Sequence, residues 1–524
     1  LTAHLQGASA SGLPGEHHIL VRLNGMPLGE TTWQGLTPQD ATFTFDSGLL
    51  HEGANTLELR GQLDAGVPFS ISYTNSFDLA YPRQATTDGS PLFLTPATAG
   101  VMTVSGFSSG NVLLYDVSAP ASPSVVLHPT LDAPFGPHRV SFVAAAGHTY
   151  LALDPSGFRF PAVVPWVPPP VPLRSPANGA DHLIIAPASL ADAAAALAAY
   201  RQGQGLASQV ATLEEIYAEF NYGIPSPLAV RSFLAYAATG WRKRPSAVVL
   251  AGSGNFDYKN YLGLGGNLMP PLMVQTPNGL YSGDSEFTAF PGGESMVVGR
   301  IPATRAAELQ AVIAKLVSYE GSPAAPWKQQ VVLLSDLADN GGQFGWESSL
   351  SAALVPAGFS QQSIDLSQLP FATARAQLLN QLGSGLLLLN YIGHGGLDRL
   401  SSQSILADDD AAALANGNRL PVVAAATCVI GRFEVPGFRS LAEALLENPA
   451  GGAAAVWAPS GVGFTAQSSA LDRALLAQLF APGPQTLGSV VLGGRRLFTA
   501  MGGDPASLAV YNLFGDPALR LQKP

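Results

Sequence analysis

Two scarce residue types carry the chemical interest of this chain. Beyond His182 there is one further histidine, His394, and in 524 residues there is one cysteine, Cys428. His394 lies at the end of 386-LLLLNYIGHGG-396 and Cys428 near the end of 421-PVVAAATCVIG-431, so each closes an apolar run punctuated by glycine. Such runs read as buried central strands, and open α/β sheets bind their ligands at the carboxyl ends of strands. If the two strands are parallel neighbours, an imidazole and a thiol meet at one sheet edge. That pair suits acyl transfer, because the thiolate is a good nucleophile and the imidazole supplies a base and then a leaving-group acid. Gly395 lets a substrate carbonyl approach the backbone, and the N–H groups of Gly395 and Cys428 are the candidate oxyanion donors. Taken singly, His394 reads as a strand cap and Cys428 as core filling. The matched strands, spaced for one intervening helix, favour the catalytic pair.

The elements that must position this pair can be read from the grammar of the chain. From residue 177 onward, strands alternate with helices: 182-HLIIA-186, the Ala-rich 190-LADAAAALAAYRQ-202, 246-SAVVLAGSG-254, 303-ATRAAELQAVIAKLVSYE-320 and 329-QQVVLLSD-336. That repetition predicts a mostly parallel sheet with helices on its faces, divided into α/β halves over 177–325 and 326–524. Residues 1–160 alternate at period two between Gly, Pro and Asn breaks, which predicts an all-β, sandwich-like domain. Its histidines show no metal spacing, and His17-His18 reads as plain surface. Between the two parts, 161–176 contain seven prolines and read as a semi-rigid polyproline spacer.

Composition narrows the function. With 12% charged residues and a net charge of −11, the chain lacks the basic patches that phosphate backbones and anionic membrane surfaces attract, so nucleic acid is not an expected partner. No run reaches the ~18–20 apolar residues of a membrane span. A single cysteine leaves no internal disulfide. No zinc spacing, phosphate loop or nucleotide fingerprint is present, since 252-GSGNFD-257 lacks the third glycine. The chain begins at Leu1 without Met, which suggests a trimmed segment whose targeting peptide is missing.

The blocks NYIGHGG and AATCVIGRFEVPGFRSLAEALLENPAGGAAAVWAPSG, with 181-DHLIIAP-187, 248-VVLAGSG-254, 298-VGRIPA-303 and 512-NLFGDPAL-519, resemble those of the gingipain family of cysteine peptidases, family C25 in the caspase-like clan. The stretch 21-VRLNGMPLGETTWQG-35 is similar to the amino-terminal domain that many bacterial members carry. The resemblance implies an α/β/α sandwich in two subdomains, the second caspase-like, after an all-β domain that serves as a pro-segment or docking module. It implies His394 as the catalytic histidine and Cys428 as the nucleophile. It also implies an acid after an upstream strand that orients the histidine: Asp336 is the first choice and Asp339 the second, each with helix capping as its alternative role. Where known members place an acid for basic specificity, this chain has 341-GGQFGW-346. Pocket walls are expected from 457-WAPSGVGFTAQ-467, with Trp457 and Phe464 as candidates. No cofactor is required. Structural calcium is implied, with 408-DDD-410 or Asp284 with Glu286 as oxygen donors. The expected function is therefore a secreted or surface bacterial cysteine endopeptidase acting on proteins or peptides. The rivals are a silent binding or adhesin protein on the same scaffold and a caspase-like enzyme of another family.

Overall fold

The computed structural model describes the chain except residues 133–136, 162–168, 294, 484 and 524. It divides into two compact units, Leu1–Pro165 and Trp166–Pro524.

The first unit is all-β, as its alternation predicts, but it holds two small cores. One packs Ala3, Leu5, Ile19, Val21 and Trp33 from strands in two three-stranded antiparallel sheets. The other packs Val104, Phe107, Leu114, Val140, Phe142 and Tyr150 from a four-stranded and a three-stranded sheet. His17 is not surface. Its ring is fully buried and contacts Ser70 Oγ at 2.9 Å and the carbonyls of Ser9 and Gly35 at 3.2 and 3.1 Å, so three oxygens replace the water that burial removes.

Of the expected proline spacer, residues 162–168 lie outside the described set. Its last part packs into the second unit: Leu173 is buried, its N–H donates to Glu219 Oε1 at 2.7 Å, and its carbonyl accepts from Trp241 Nε1 at 2.8 Å.

The second unit is built on ten strands: β1 (His182–Ala186), β2 (Ser208–Thr212), β3 (Ala247–Ala251), β4 (Val297–Ile301), β5 (Gln330–Ser335), β6 (Ser360–Asp365), β7 (Leu388–Ile392), β8 (Val422–Ala426), β9 (Ala455–Pro459) and β10 (Tyr511–Phe514). They form one sheet in the order β2-β1-β3-β4-β10-β9-β8-β7-β5-β6. Helices cover both faces, which is why the strands are apolar without alternation. In β1, Leu183 and Ile185 pack with Phe233 and Leu234 of the helix Pro227–Gly240. Ile184 and Ala186 pack on the other face, in the core that holds Leu197 and Leu316. Leu386 to Leu389 are each at most 1% exposed; at about 1.5–3 kcal/mol per buried leucine they anchor β7 firmly.

Strand direction decides where the chemistry lies. All neighbouring pairs are parallel except β9 with β10. The sheet therefore consists of two oppositely directed parallel sets, and the carboxyl ends of β5, β7, β8 and β9 share one edge. The 177–325 and 326–524 halves share this sheet, and the terminal strand β10 ties them together. Beside it, Asp516 is fully buried between His182 Nε2 (3.1 Å) and Arg201 Nε (2.8 Å). Burial alone would raise its carboxyl, but the imidazole and guanidinium outweigh it and hold the group well below the usual carboxylate range.

Candidate active site

The strands β7 and β8 pair in register from Leu388↔Val422 to Ile392↔Ala426, so His394 and Cys428 each stand two residues past the last paired position. The two strand ends touch through Gly395. A Cβ there would lie 2.5 Å from the Cys428 carbonyl oxygen, 2.6 Å from Thr427 Oγ1 and 2.8 Å from Ile430 Cγ2. Only glycine allows this approach. The Ser401 N–H donates to the His394 carbonyl at 2.8 Å, which makes Gly395 and Leu400 a non-hydrogen-bonded pair of their short hairpin and turns the Gly395 N–H away from it. Among the described residues the Cys428 N–H also has no backbone acceptor.

The turn after the cysteine is strained. The Ile430 N–H donates to the Cys428 carbonyl at 2.7 Å across Val429, whose φ is +43°. This three-residue turn is held by the Val429 N–H on the Gly461 carbonyl, and it costs a β-branched residue about 1–2 kcal/mol. Cys428 Sγ faces Gly463: it accepts from that residue's N–H at 3.5 Å and donates to its carbonyl at 3.6 Å. Burial pushes the thiol above its usual range, and the Gly463 amide offsets part of the shift.

The two candidate acids do different things. Asp336, buried at 3% exposure, does not touch the imidazole. It accepts from the His394 backbone N–H (3.1 Å), the Tyr391 hydroxyl (3.1 Å) and the Leu337 N–H (2.8 Å). The single Tyr391 hydroxyl proton is shared between Asp336 and the His394 carbonyl, which lies at 2.7 Å, so this pair fixes the histidine's main chain. The acid on the ring is Asp339, whose Oδ2 lies 2.9 Å from His394 Nε2 while its Oδ1 accepts from the Gly341 N–H at 2.7 Å. The hydrogen bond from His394 holds the Asp339 carboxyl below its ordinary value. The physical reason for the exchange of roles is position. Asp336 directly follows β5 and packs inward beside β7, whereas Asp339 lies three residues on, where the loop rises to the exposed ring. Phe344 packs edge-on against that ring at 5.1 Å and belongs to a small core with Ile392 and Ala426. Among the described residues, His394 makes its side-chain hydrogen bond through Nε2 and none through Nδ1.

Trp457 is no pocket wall. It is 2% exposed in β9, and its ring lies 4.8 Å from that of Tyr511, because both faces of the central strand are covered. Phe464, beside Gly463, is 60% exposed at the start of the helix Thr465–Leu479. Leu337 and Val462 are exposed on the loops after β5 and β9, and Trp346 is exposed on the helix Phe344–Ala352. Those loops are tied by Thr465 Oγ1, which donates to the Gly341 carbonyl at 2.7 Å. Sequence reasoning missed Gly463, Thr465, Phe344 and Tyr391; the doublet 461-GVG-463 after an apolar strand was the available signal.

Two of the expected calcium donors, Asp284 and Asp410, are otherwise engaged. Asp284 is buried in a bidentate pair with Arg300 at 2.7 and 2.8 Å, and Asp410 pairs with Arg375 at 2.6 and 2.8 Å. A guanidinium already occupies the lone pairs that a hard cation would use, and among the described residues no cluster of three His, Cys, Asp or Glu could hold a metal ion. These two clusters do not fit calcium. No described helix is long and apolar enough to cross a membrane.

The model of peptidase family C25 matches residues 175–522. Among solved structures, the fold is similar to a complex of the pro- and mature domains of RgpB from Porphyromonas gingivalis, at 18% identity over 64% of this chain and 79% of that one, with a TM-score of 0.54. It is also similar to the Arg-specific cysteine proteinase gingipain R, at 18% identity over 68% and 80%, with a TM-score of 0.54. No curated protein matches the chain.

Proposed function

The chain belongs to peptidase family C25, whose model covers more than half of it, and from that premise we propose a cysteine endopeptidase that works through Cys428 and His394. The observation that carries this reading is the contact of Gly395 with the Cys428 carbonyl, which joins the two strand ends while Asp339 holds the imidazole. In the proposed cycle the Cys428 thiol gives its proton to His394 Nδ1 and Sγ attacks the peptide carbonyl. The N–H groups of Gly395 and Cys428 hold the oxyanion. The imidazolium then protonates the leaving amine, the C–N bond breaks, and a thioester remains on Cys428. Water, deprotonated by the imidazole, cleaves the thioester and restores the thiol. Asp339 fixes the ring and stabilises its charged form. Asp336 acts one step back, through the main chain.

Neither Asp339, which holds His394, nor Glu347, which pairs with Arg473 at 2.6 Å, is free to receive a basic side chain. Phe464, Val462, Leu337 and Trp346 give the rim an apolar character instead, so the preferred side chain beside the scissile bond is apolar. The proposed setting is a bacterial cell surface or its surroundings, with proteins or peptides as substrates and the β unit as a pro-segment or docking module. A silent binding scaffold is the second reading, favoured by the burial that keeps the Cys428 thiol protonated. Digestion of a mixed peptide library by the intact chain and by Cys428→Ala, with mass-spectrometric readout, separates the two. Cuts made only by the intact chain support the peptidase, and no cuts by either support the scaffold.

A further inference from the structure

Strands β1 to β4 run opposite to the strands that carry His394 and Cys428, so their carboxyl ends open at the other edge of the sheet. In the order β2-β1-β3-β4 the chain leaves β1 toward β2 and then crosses back past β1 to β3. The carboxyl ends of β1 and β3 therefore flank a topological switch point, where open α/β sheets leave a crevice for a ligand. A cavity of about 650 Å³ lies there. Pro187 and Ser189 reach it from the end of β1, Leu213 and Tyr217 from the helix after β2, and Tyr258 and Leu268 from the loop after β3. Its walls are fixed by the fold. Asn267 Oδ1 accepts the Asn255 N–H at 2.6 Å, and Asp257 accepts the N–H groups of Tyr261 and Leu262 at 2.9 and 2.7 Å, so the loop after β3 is tied to itself. The Tyr258 hydroxyl donates to the Pro271 carbonyl at 2.8 Å. A pre-formed cavity of this size, with aromatic and apolar walls and few polar groups, has the make-up of a small-molecule site.

The polar groups set the charge of the ligand. Among the described residues that line the cavity, Glu214 alone is charged. Its Oε2 accepts the Ala188 N–H at 2.9 Å, while Oε1 accepts from no described residue. The two other acids of the helix Leu213–Asn221 are used within the fold: Glu215 closes a capping box with Thr212, and Glu219 accepts the N–H groups of Leu173 and Arg174 at 2.7 and 2.9 Å. Glu214 is exposed, so an ammonium reaches it without shedding all of its water. Tyr217 stands three residues on, on the same face of that helix. Burial first and the Glu214 charge second push its phenol up and keep it protonated, and among the described residues its hydroxyl makes no hydrogen bond. The carboxylate and phenol oxygens both accept hydrogen bonds, and the faces of tyrosine rings attract cations. An ammonium group satisfies this set, whereas a carboxylate would be repelled by it. A bare inorganic cation would leave the apolar walls uncovered, so the complementary ligand carries hydrocarbon behind its charge.

We propose that this cavity binds the ammonium group of an apolar ligand, with Glu214 and Tyr217 receiving the charge and Leu213, Leu228, Tyr258 and Leu268 as the bed for its hydrocarbon. The same chemistry has two sources, a small free amine and the amino terminus of an apolar peptide.

The test is isothermal titration of the full chain with hexylamine, hexanol, ammonium chloride, Leu-Phe amide and N-acetyl-Leu-Phe amide. At least one of the two apolar amines is expected to bind, with its neutral counterpart weaker by about 10-fold or more, the usual worth of a charge-assisted hydrogen bond. Hexylamine tighter than Leu-Phe amide assigns the small amine, and the reverse assigns the peptide terminus. Glu214→Gln, which keeps an acceptor for the Ala188 N–H, is expected to remove the preference for the amine. Tyr217→Phe is expected to weaken the amine by a few-fold and leave the neutral partner unchanged. Leu228→Ser, a change at an exposed wall position, is expected to weaken both partners alike, which places the binding in this cavity and not beside Cys428. Equal binding of amine and neutral partner, ammonium chloride bound as tightly as the apolar amines, or amine binding untouched by Glu214→Gln and Tyr217→Phe would each overturn the proposal, as would no binding by any of the five.

Discussion

Replacing Gly395 by alanine tests the geometry of the strand-end contact at one atom. The added methyl would sit 2.5 Å from the Cys428 carbonyl oxygen and 2.8 Å from Ile430 Cγ2, against an ordinary contact of 3.4 Å or more. The two loops must then part by roughly an ångström. As overpacking this costs about 1–3 kcal/mol of stability, which leaves a unit of this size folded. The effect on rate is larger, because a misplacement of about 1 Å between reacting groups costs on the order of 100-fold. Gly396→Ala is the control. Its methyl would meet Arg399 Cγ at 3.2 Å, a flexible side chain that can move away. With a fluorogenic peptide chosen from the library cuts, kcat/KM of Gly395→Ala should fall by about 100-fold while urea unfolding shifts modestly, and Gly396→Ala should stay within about 3-fold of the parent. A Gly395→Ala enzyme as active as the parent would refute the reasoning that this contact aligns the pair.

Other expectations rest on the same geometry. Asp339→Asn should lower kcat by roughly 10-fold or more with little change in stability, because the carboxylate acts on a half-exposed ring. Asp336→Asn should cost about 1–3 kcal/mol in unfolding free energy, because three donors, one buried and two partly buried, lose their charged acceptor; equal effects of the two changes on both readouts would contradict the division of roles. Alkylation of Cys428 by iodoacetamide should keep accelerating with pH beyond the ordinary thiol range near ~8.5, since burial raises this thiol, and a plateau below about pH 7 would show an ionised thiolate at rest. In the β unit, His4 bridges Asp40 (2.7 Å) and Asp78 (3.1 Å) from a central strand to both neighbours, and His18, also on a central strand, bridges Glu30 (3.3 Å) on one neighbour and Asp64 (2.9 Å) just past the end of the other. Hydrogen bonds donated to Asp40 and then to Asp78 raise the His4 pKa; for His18 the bond to Asp64 leads, against partial desolvation. Raised folded values stabilise fully below the unfolded pKa near ~6.5 and fade as pH climbs through the folded ones. Amide protection in Thr2–Gly7 and His17–Leu23, corrected for intrinsic exchange, should therefore fall as pH rises above the ordinary histidine range near ~6.5 and lose that dependence in a His4→Gln, His18→Gln chain.

Much of the catalytic edge was legible in the sequence because a parallel sheet buried on both faces writes itself as uninterrupted apolar runs, and glycines mark where those runs turn. Leu386 to Ile392 and Val422 to Ala426 were therefore visible as neighbouring strands with His394 and Cys428 past their ends. The direction of side chains in the loops beyond is hidden from the sequence. Asp336 and Asp339 differ by three positions, and only the fold shows one turned inward to the His394 main chain and the other outward to its ring. Trp457 fails as a pocket residue for a related reason, since an aromatic in an apolar run looks the same whether its strand ends at a cleft or continues through the core. Acidic clusters mislead in the same way. The arginines that engage Asp284 and Asp410 lie 16 and 35 residues away, Arg300 and Arg375, so the sequence displays the oxygens without their partners. The division of the β part into two cores was also out of reach, because short strands carry no mark of which sheet they join.

The central claim is that Cys428 is the nucleophile of a pre-assembled site. The most direct measurement is intact-mass and peptide-mapped labelling by a peptidyl acyloxymethyl ketone with an apolar residue beside the warhead, on the native chain, the urea-unfolded chain and His394→Ala. The account predicts one adduct per native chain, located on Cys428, formed far more slowly by His394→Ala and not at all after unfolding. Labelling of the unfolded chain as fast as the native one, or a native chain that stays unlabelled, would contradict it.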